Sequence, residues 1–100
     1  MAIGDVQVKG SYIYTYDSAG KQIAYMSLSD NNVVGVSSEF FVSVKGSYIY
    51  TYDEKCRQIA YMSKSDHEVR GATGSTFTTK KASYIYTFDK NCKQLSYRPA

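Results

Sequence analysis

The chain predicts an all-β fold made of three repeats of 36 residues with pseudo-threefold symmetry. Three observations carry this. Tyr12-Ile13-Tyr14-Thr15-Tyr16-Asp17 returns as Tyr48-Ile49-Tyr50-Thr51-Tyr52-Asp53 and again as Tyr84-Ile85-Tyr86-Thr87-Phe88-Asp89, with a spacing of 36 both times. Residues 8–30 and 44–66 are identical at 18 of 23 positions, differing only at 18–21 and 28. No segment shows a helical period of useful length, and the single proline, Pro99, lies in the tail, so no proline breaks a strand. A fixed period of this size indicates one supersecondary unit per repeat, closed or stacked on its neighbours. A β-prism or trefoil-like closure is expected, with a propeller-like or solenoid arrangement as the alternative. The repeats fall at about 5–36, 41–72 and 77–100 of one 100-residue domain.

Taken in order, the second unit reads as four short strands, at about 32–37, 40–45, 47–53 and 58–63, rich in Val, Ile, Thr, Tyr and Phe. The first unit begins at residues 5–9 and lacks the leading strand, which makes 11 strands in all. Either the closure is imperfect or a partner completes that terminus. The near identity of the first two units also meets a condition for strand swapping between chains and predicts a homo-oligomer.

The turn Asp17-Ser18-Ala19-Gly20 has the chemistry of a type I turn followed by a left-handed glycine. The register that follows sets Thr15 opposite Ile23 and Ile13 opposite Tyr25. On the other face Tyr16, Tyr14 and Tyr12 stand opposite Gln22, Ala24 and Met26. In the third unit Ile23 becomes Leu95, a core-type change, while Ala24 becomes Ser96 and Met26 becomes Arg98. The Ile13/Tyr25 face is therefore expected inward and the triple-Tyr face partly outward; the opposing reading makes the Tyr row the core. Cys56 and Cys92 replace Gly20, and a left-handed cysteine is disfavoured, so a different loop and a slipped register are expected there.

The hairpin Tyr14-Thr15-Tyr16-Asp17-Ser18-Ala19-Gly20-Lys21 resembles the Tyr-x-Tyr-Asp-x-x-Gly-Arg core of YD repeats, the β-hairpin repeats that build shells around secreted bacterial toxins. The resemblance covers about eight residues per unit and implies a β-hairpin. Three four-stranded units of this length are also similar in size to a monocot-type β-prism lectin, although the Gln-x-Asp-x-Asn-x-Val-x-Tyr sugar motif of that family is absent.

Composition narrows the function. Val, Ile, Leu and Phe number only 20, while Tyr numbers 11 and Trp is absent. Some tyrosines must therefore supply core area, at roughly 150–250 Å² for each ring that is buried. The net charge of +3 is scattered, and Lys80-Lys81 is a lone basic doublet, a poor match to the concentrated stripe of a nucleic-acid binder. Met1-Ala2-Ile3-Gly4-Asp5 reaches an acid without an apolar run, which predicts no cleaved secretion signal and a cytoplasmic location, and no stretch has the length of a membrane span. Cys56 and Cys92 occupy equivalent positions of separate units and are expected to be free thiols.

No catalytic residue, metal site or cofactor is expected. The only histidine, His67, stands in Ser65-Asp66-His67-Glu68 and reads as a solvated loop residue, with no nucleophile paired to it. Asp17, Asp53 and Asp89 each begin a turn, where an aspartate bonds its own backbone. The expectation is a non-enzymatic binding module. Tyr12, Tyr14, Tyr48, Tyr50, Tyr84 and Tyr86 would engage a glycan or a protein partner, because Tyr rows give apolar area at low entropy cost with a polar handle. The rival is a structural or self-assembling module in which the same residues recur for packing.

Overall fold

A computed structural model describes residues 2–100, and among them there are 11 strands and no helix. The strands are β1 (Asp5–Lys9), β2 (Tyr12–Tyr16), β3 (Gln22–Ser27), β4 (Asn32–Val36), β5 (Phe41–Lys45), β6 (Tyr48–Tyr52), β7 (Gln58–Ser63), β8 (Glu68–Thr73), β9 (Thr76–Lys81), β10 (Tyr84–Asp89) and β11 (Gln94–Pro99). They form three antiparallel meanders, β1-β2-β3, β4-β5-β6-β7 and β8-β9-β10-β11. The sheets stay separate and no barrel closes among the described residues, so the β-prism or trefoil-like closure expected from the sequence is not seen.

The sheets stack, and the middle one is packed on both faces. Toward the first sheet, Phe41, Tyr52, Val33, Tyr50 and Cys56 meet Ile3, Ile13, Val6, Met26 and Leu28. Toward the third, Phe40, Val42, Ile49, Val34, Val44 and Met62 meet Phe77, Phe88, Val69, Ala72, Tyr86 and Cys92. Strand alternation makes this work: successive residues of β6 point to opposite faces, so Ile49 serves one seam and Tyr50 and Tyr52 the other. Each buried Ile or Phe removed from water contributes about 1.5–3 kcal/mol.

The stack also explains why the same position differs between units. Val34, Val44, Ala60 and Met62 lie on the face of the middle sheet that the third sheet covers; 36 residues on stand Arg70, Lys80, Ser96 and Arg98, all exposed. At the opposite end Asp5 and Gly20 occupy the places of Phe41 and Cys56. Polar or small residues thus stand at these places where a sheet face has no neighbouring sheet. Ser96 and Arg98 mark the end of the stack; they do not mark an outward face in every unit.

The hairpin turns follow the sequence chemistry. Asp17 Oδ1 accepts from the Ala19 and Lys21 amides, both at 2.9 Å, and the Gly20 amide closes on the Asp17 carbonyl at 3.0 Å. Asp53 and Asp89 do the same. Contrary to expectation, the cysteine-containing loops do not differ: Cys56 and Cys92 both take φ of +61°, in the left-handed region of Gly20. The disfavoured backbone is offset by docking. Thr15 Oγ1 donates to the Glu54 carbonyl at 2.6 Å, and Thr51 Oγ1 to the Lys90 carbonyl at 2.6 Å, so each loop seats on the preceding sheet with its cysteine in the seam. Both thiols are free, and burial pushes Cys56 up and Cys92 to about 11.

The register departs from expectation at one residue. Tyr16 pairs with Gln22 as expected, but Thr15 then pairs with Ala24, Tyr14 with Tyr25 and Ile13 with Met26. Ile23 is the extra residue of a β-bulge, and the same shift recurs at β6–β7 and β10–β11. A one-residue shift moves every later side chain of the strand to the other face. Ala24 and Met26 therefore join Ile13 and Thr15 inside, and Tyr25 turns outward. Leu95, in the bulge of the last sheet, is exposed and contributes nothing to a core.

Candidate functional site

The bulge builds a cluster that the sequence register had separated. Tyr25 reaches the face of Tyr12 and Tyr14, its ring centroid 5.7 Å from Tyr12 at 75° and 6.1 Å from Tyr14 at 35°. In the middle sheet Tyr61 stands 5.8 Å from Tyr48 at 73° and 6.0 Å from Tyr50 at 34°. In the third, Tyr97 stands 5.8 Å from Tyr84 at 72° and 5.9 Å from Tyr86 at 32°. In each triad Tyr25, Tyr61 or Tyr97 makes one edge-on contact and one tilted contact, the geometry that the ring quadrupole favours.

The six predicted tyrosines thus fall two to a sheet. Tyr12, Tyr48 and Tyr84 are exposed, while Tyr14, Tyr50 and Tyr86 are half-buried. Tyr50 and Tyr86 also pack against the seams, so those two serve the fold as well. The most exposed ring of every triad is the one that the sequence register placed inward: Tyr25 at 60%, Tyr61 at 59% and Tyr97 at 63%. A signal for them existed, since Tyr97 persists although its neighbours have become Ser96 and Arg98. Further along the same row, Tyr52 is buried against Phe41, and burial raises its hydroxyl pKa. Tyr16, at the open end of the stack, lies instead under the Lys9 ammonium, 5.9 Å from its centroid.

His67 corrects another expectation. It is buried, not solvated: Nδ1 lies 2.7 Å from Thr79 Oγ1, and the ring stands edge-on to Tyr86 at 5.1 Å and Phe88 at 5.5 Å. Burial lowers its pKa, with the Lys81 charge acting in the same direction. The equivalent pair in the first seam is Asn31 and Ser43, joined at 2.9 Å. The imidazole therefore occupies the place of an amide in a buried hydrogen bond, and it faces packed rings.

A shallow cleft of about 540 Å³ lies at the turn end of the first hairpin, away from the triad, lined by Asp17, Lys21, Gln22, Ile23, Ala24 and Lys55. Among the described residues no group of three or more His, Cys, Asp or Glu is placed to hold a metal ion, and no helix is long and apolar enough to cross a membrane.

No protein-family model matches the chain, and no curated protein matches it.

Proposed function

We propose that the chain is a non-enzymatic binding module of three 36-residue β units. Its tyrosine triads are the contact sites, and a glycan is the first ligand class. The observation that supports this reading is the exposure of Tyr25, Tyr61 and Tyr97, one ring in each sheet. Cross-strand ring contacts stabilise the sheet but leave a ring of each triad open to water, and a sugar ring stacks its C–H face on such a surface and takes a hydrogen bond from the phenol. Three weak sites on one rigid scaffold gain by multivalency, which gives the recurrence a use beyond packing. The shared bulge and the matching hairpin registers support the repeat itself.

A glycan array probed with the parent and with Tyr61→Ala tests the reading. Specific signal in the parent that falls in the variant, with thermal stability retained, is the expected result. Absent signal in the parent turns attention to protein ligands, which the same surface suits. The structural reading draws on Tyr50 and Tyr86, which pack against the seams. It predicts that Tyr61→Ala lowers stability and that no ligand is found.

A further inference from the structure

Each tyrosine triad carries one lysine at its rim, and the register puts it there. Lys9 pairs with Tyr12, Lys45 with Tyr48 and Lys81 with Tyr84. These pairs flank two-residue turns, Gly10-Ser11, Gly46-Ser47 and Ala82-Ser83. The first turn residue is left-handed in all three, at φ of +58°, +59° and +55°. Ala82 keeps that backbone although it carries a Cβ, so the turn and the register it sets are the same in every unit. Side chains directly opposite in an antiparallel pair share a face, with Cβ atoms about 4.5–5.5 Å apart. The lysine therefore stands on the face of the triad, beside its outer ring. Two contacts agree. Lys9 Nζ lies 5.9 Å from the centroid of Tyr16, which alternation puts on the face of Tyr12 and Tyr14. The Lys81 charge acts on His67, whose ring is 5.1 Å from that of Tyr86.

No carboxylate of the fold balances this charge. Cations recur at two positions of the unit. The first is Lys21, Arg57 and Lys93, whose amides donate to the turn aspartate; Arg57 Nε also meets Asp53 Oδ2 at 3.1 Å. The second is Lys9, Lys45 and Lys81, and none of these takes part in an ion pair among the described residues. A lysine can guard an open strand edge, but β5 and β9, which carry Lys45 and Lys81, are interior strands of their sheets. What Lys45 adjoins is the exposed phenol of Tyr48, with Ser63 in register on the other side of that ring.

We propose, on the reading of the triads as glycan sites, that they select acidic sugars. The C–H face of the sugar stacks on the tyrosines, and its carboxylate or sulfate pairs with Lys9, Lys45 or Lys81. Phenol rings alone offer a neutral surface that suits many sugars. An ammonium held at a set place beside them distinguishes an acidic sugar from its neutral counterpart, because a charge-assisted hydrogen bond forms with the one and not with the other.

The whole chain is probed on an array that carries neutral, carboxylated and sulfated glycans. Acidic glycans are expected to bind in preference to neutral ones of the same backbone, and the two acidic classes side by side separate the sources of the anion. The strongest binder is then titrated beside its neutral counterpart, carboxyl-reduced or desulfated. The charge is expected to contribute up to about fivefold in affinity per site. Lys9→Met, Lys45→Met and Lys81→Met together keep the aliphatic stems and should bring the acidic and neutral forms to the same affinity, whereas the matching Lys→Arg changes should retain the preference. Should the triple Lys→Met variant fail to fold, salt reads the same charge in the parent: the advantage of the acidic form is expected to shrink as ionic strength rises. Binding confined to neutral glycans, or an acidic preference that survives both Lys→Met and salt, would overturn the selectivity and leave the triads as glycan sites. An array on which nothing binds would overturn both.

Discussion

The two seams that flank the middle sheet share a geometry and differ in filling. Each has a threonine clamping the next hairpin at 2.6 Å, Thr15 to Glu54 and Thr51 to Lys90. Each has a stacked ring pair: Phe41–Tyr52 at 5.2 Å and 19°, and Phe77–Phe88 at 5.4 Å and 21°. Each has one buried polar pair, Asn31–Ser43 or His67–Thr79. The second seam adds Phe40, has no phenol in its ring pair, and uses an imidazole where the first uses an amide. Register and loop docking therefore define the stack, and partners at a contact change together within that frame.

The largest expected effect comes from the rings. Phe77→Ala should cost about 3–5 kcal/mol, with Phe41→Ala in the same range, measured by denaturant unfolding. The Phe77 value is expected to be the larger, since Phe40 also packs on that ring, 6.2 Å between centroids. Equal and small losses would show that the seams are loosely packed. Next come the clamps. Thr15→Val and Thr51→Val each strand a loop carbonyl and should cost roughly 1–3 kcal/mol each, with additive losses in the double variant because the clamps serve separate seams.

The third prediction separates the seams by pH. Burial depresses the folded pKa of His67 below its ordinary 6.5, so the unfolded chain binds the proton first. The stabilisation from a neutral His67 is complete above about pH 6.5 and is lost as pH falls from there through the folded pKa. The unfolding midpoint should decline over that window. His67→Asn with Thr79→Ser, which copies the first seam, should flatten it. The smallest effect is on thiol chemistry: Cys92, pushed to about 11, should alkylate at pH 8 far more slowly than a free thiol, and more slowly than Cys56.

Much of the fold was legible in the sequence because periodicity and turn chemistry are local. The strands of the middle sheet end within a residue or so of expectation, and the Asp turns close as their side chains predict. What was not legible depended on neighbours. The bulge at Ile23 has no residue signature of its own, yet it decides that Tyr25 faces out, and Tyr25, Tyr61 and Tyr97, three of the six exposed triad rings, were missed for that reason. His67 lies among polar residues in the chain, but Phe88 and Tyr86 cover it from another strand. The left-handed cysteines contradicted a sound backbone rule because docking on the preceding sheet, invisible locally, holds them there.

The proposed function requires the three triads to be separate ligand sites. Calorimetric titration of the parent with the oligosaccharide selected on the array reads this as a stoichiometry. The prediction is three sites per chain, falling to two in Tyr61→Ala with the affinity of the remaining sites unchanged. A single site, or a stoichiometry indifferent to Tyr61, would contradict it.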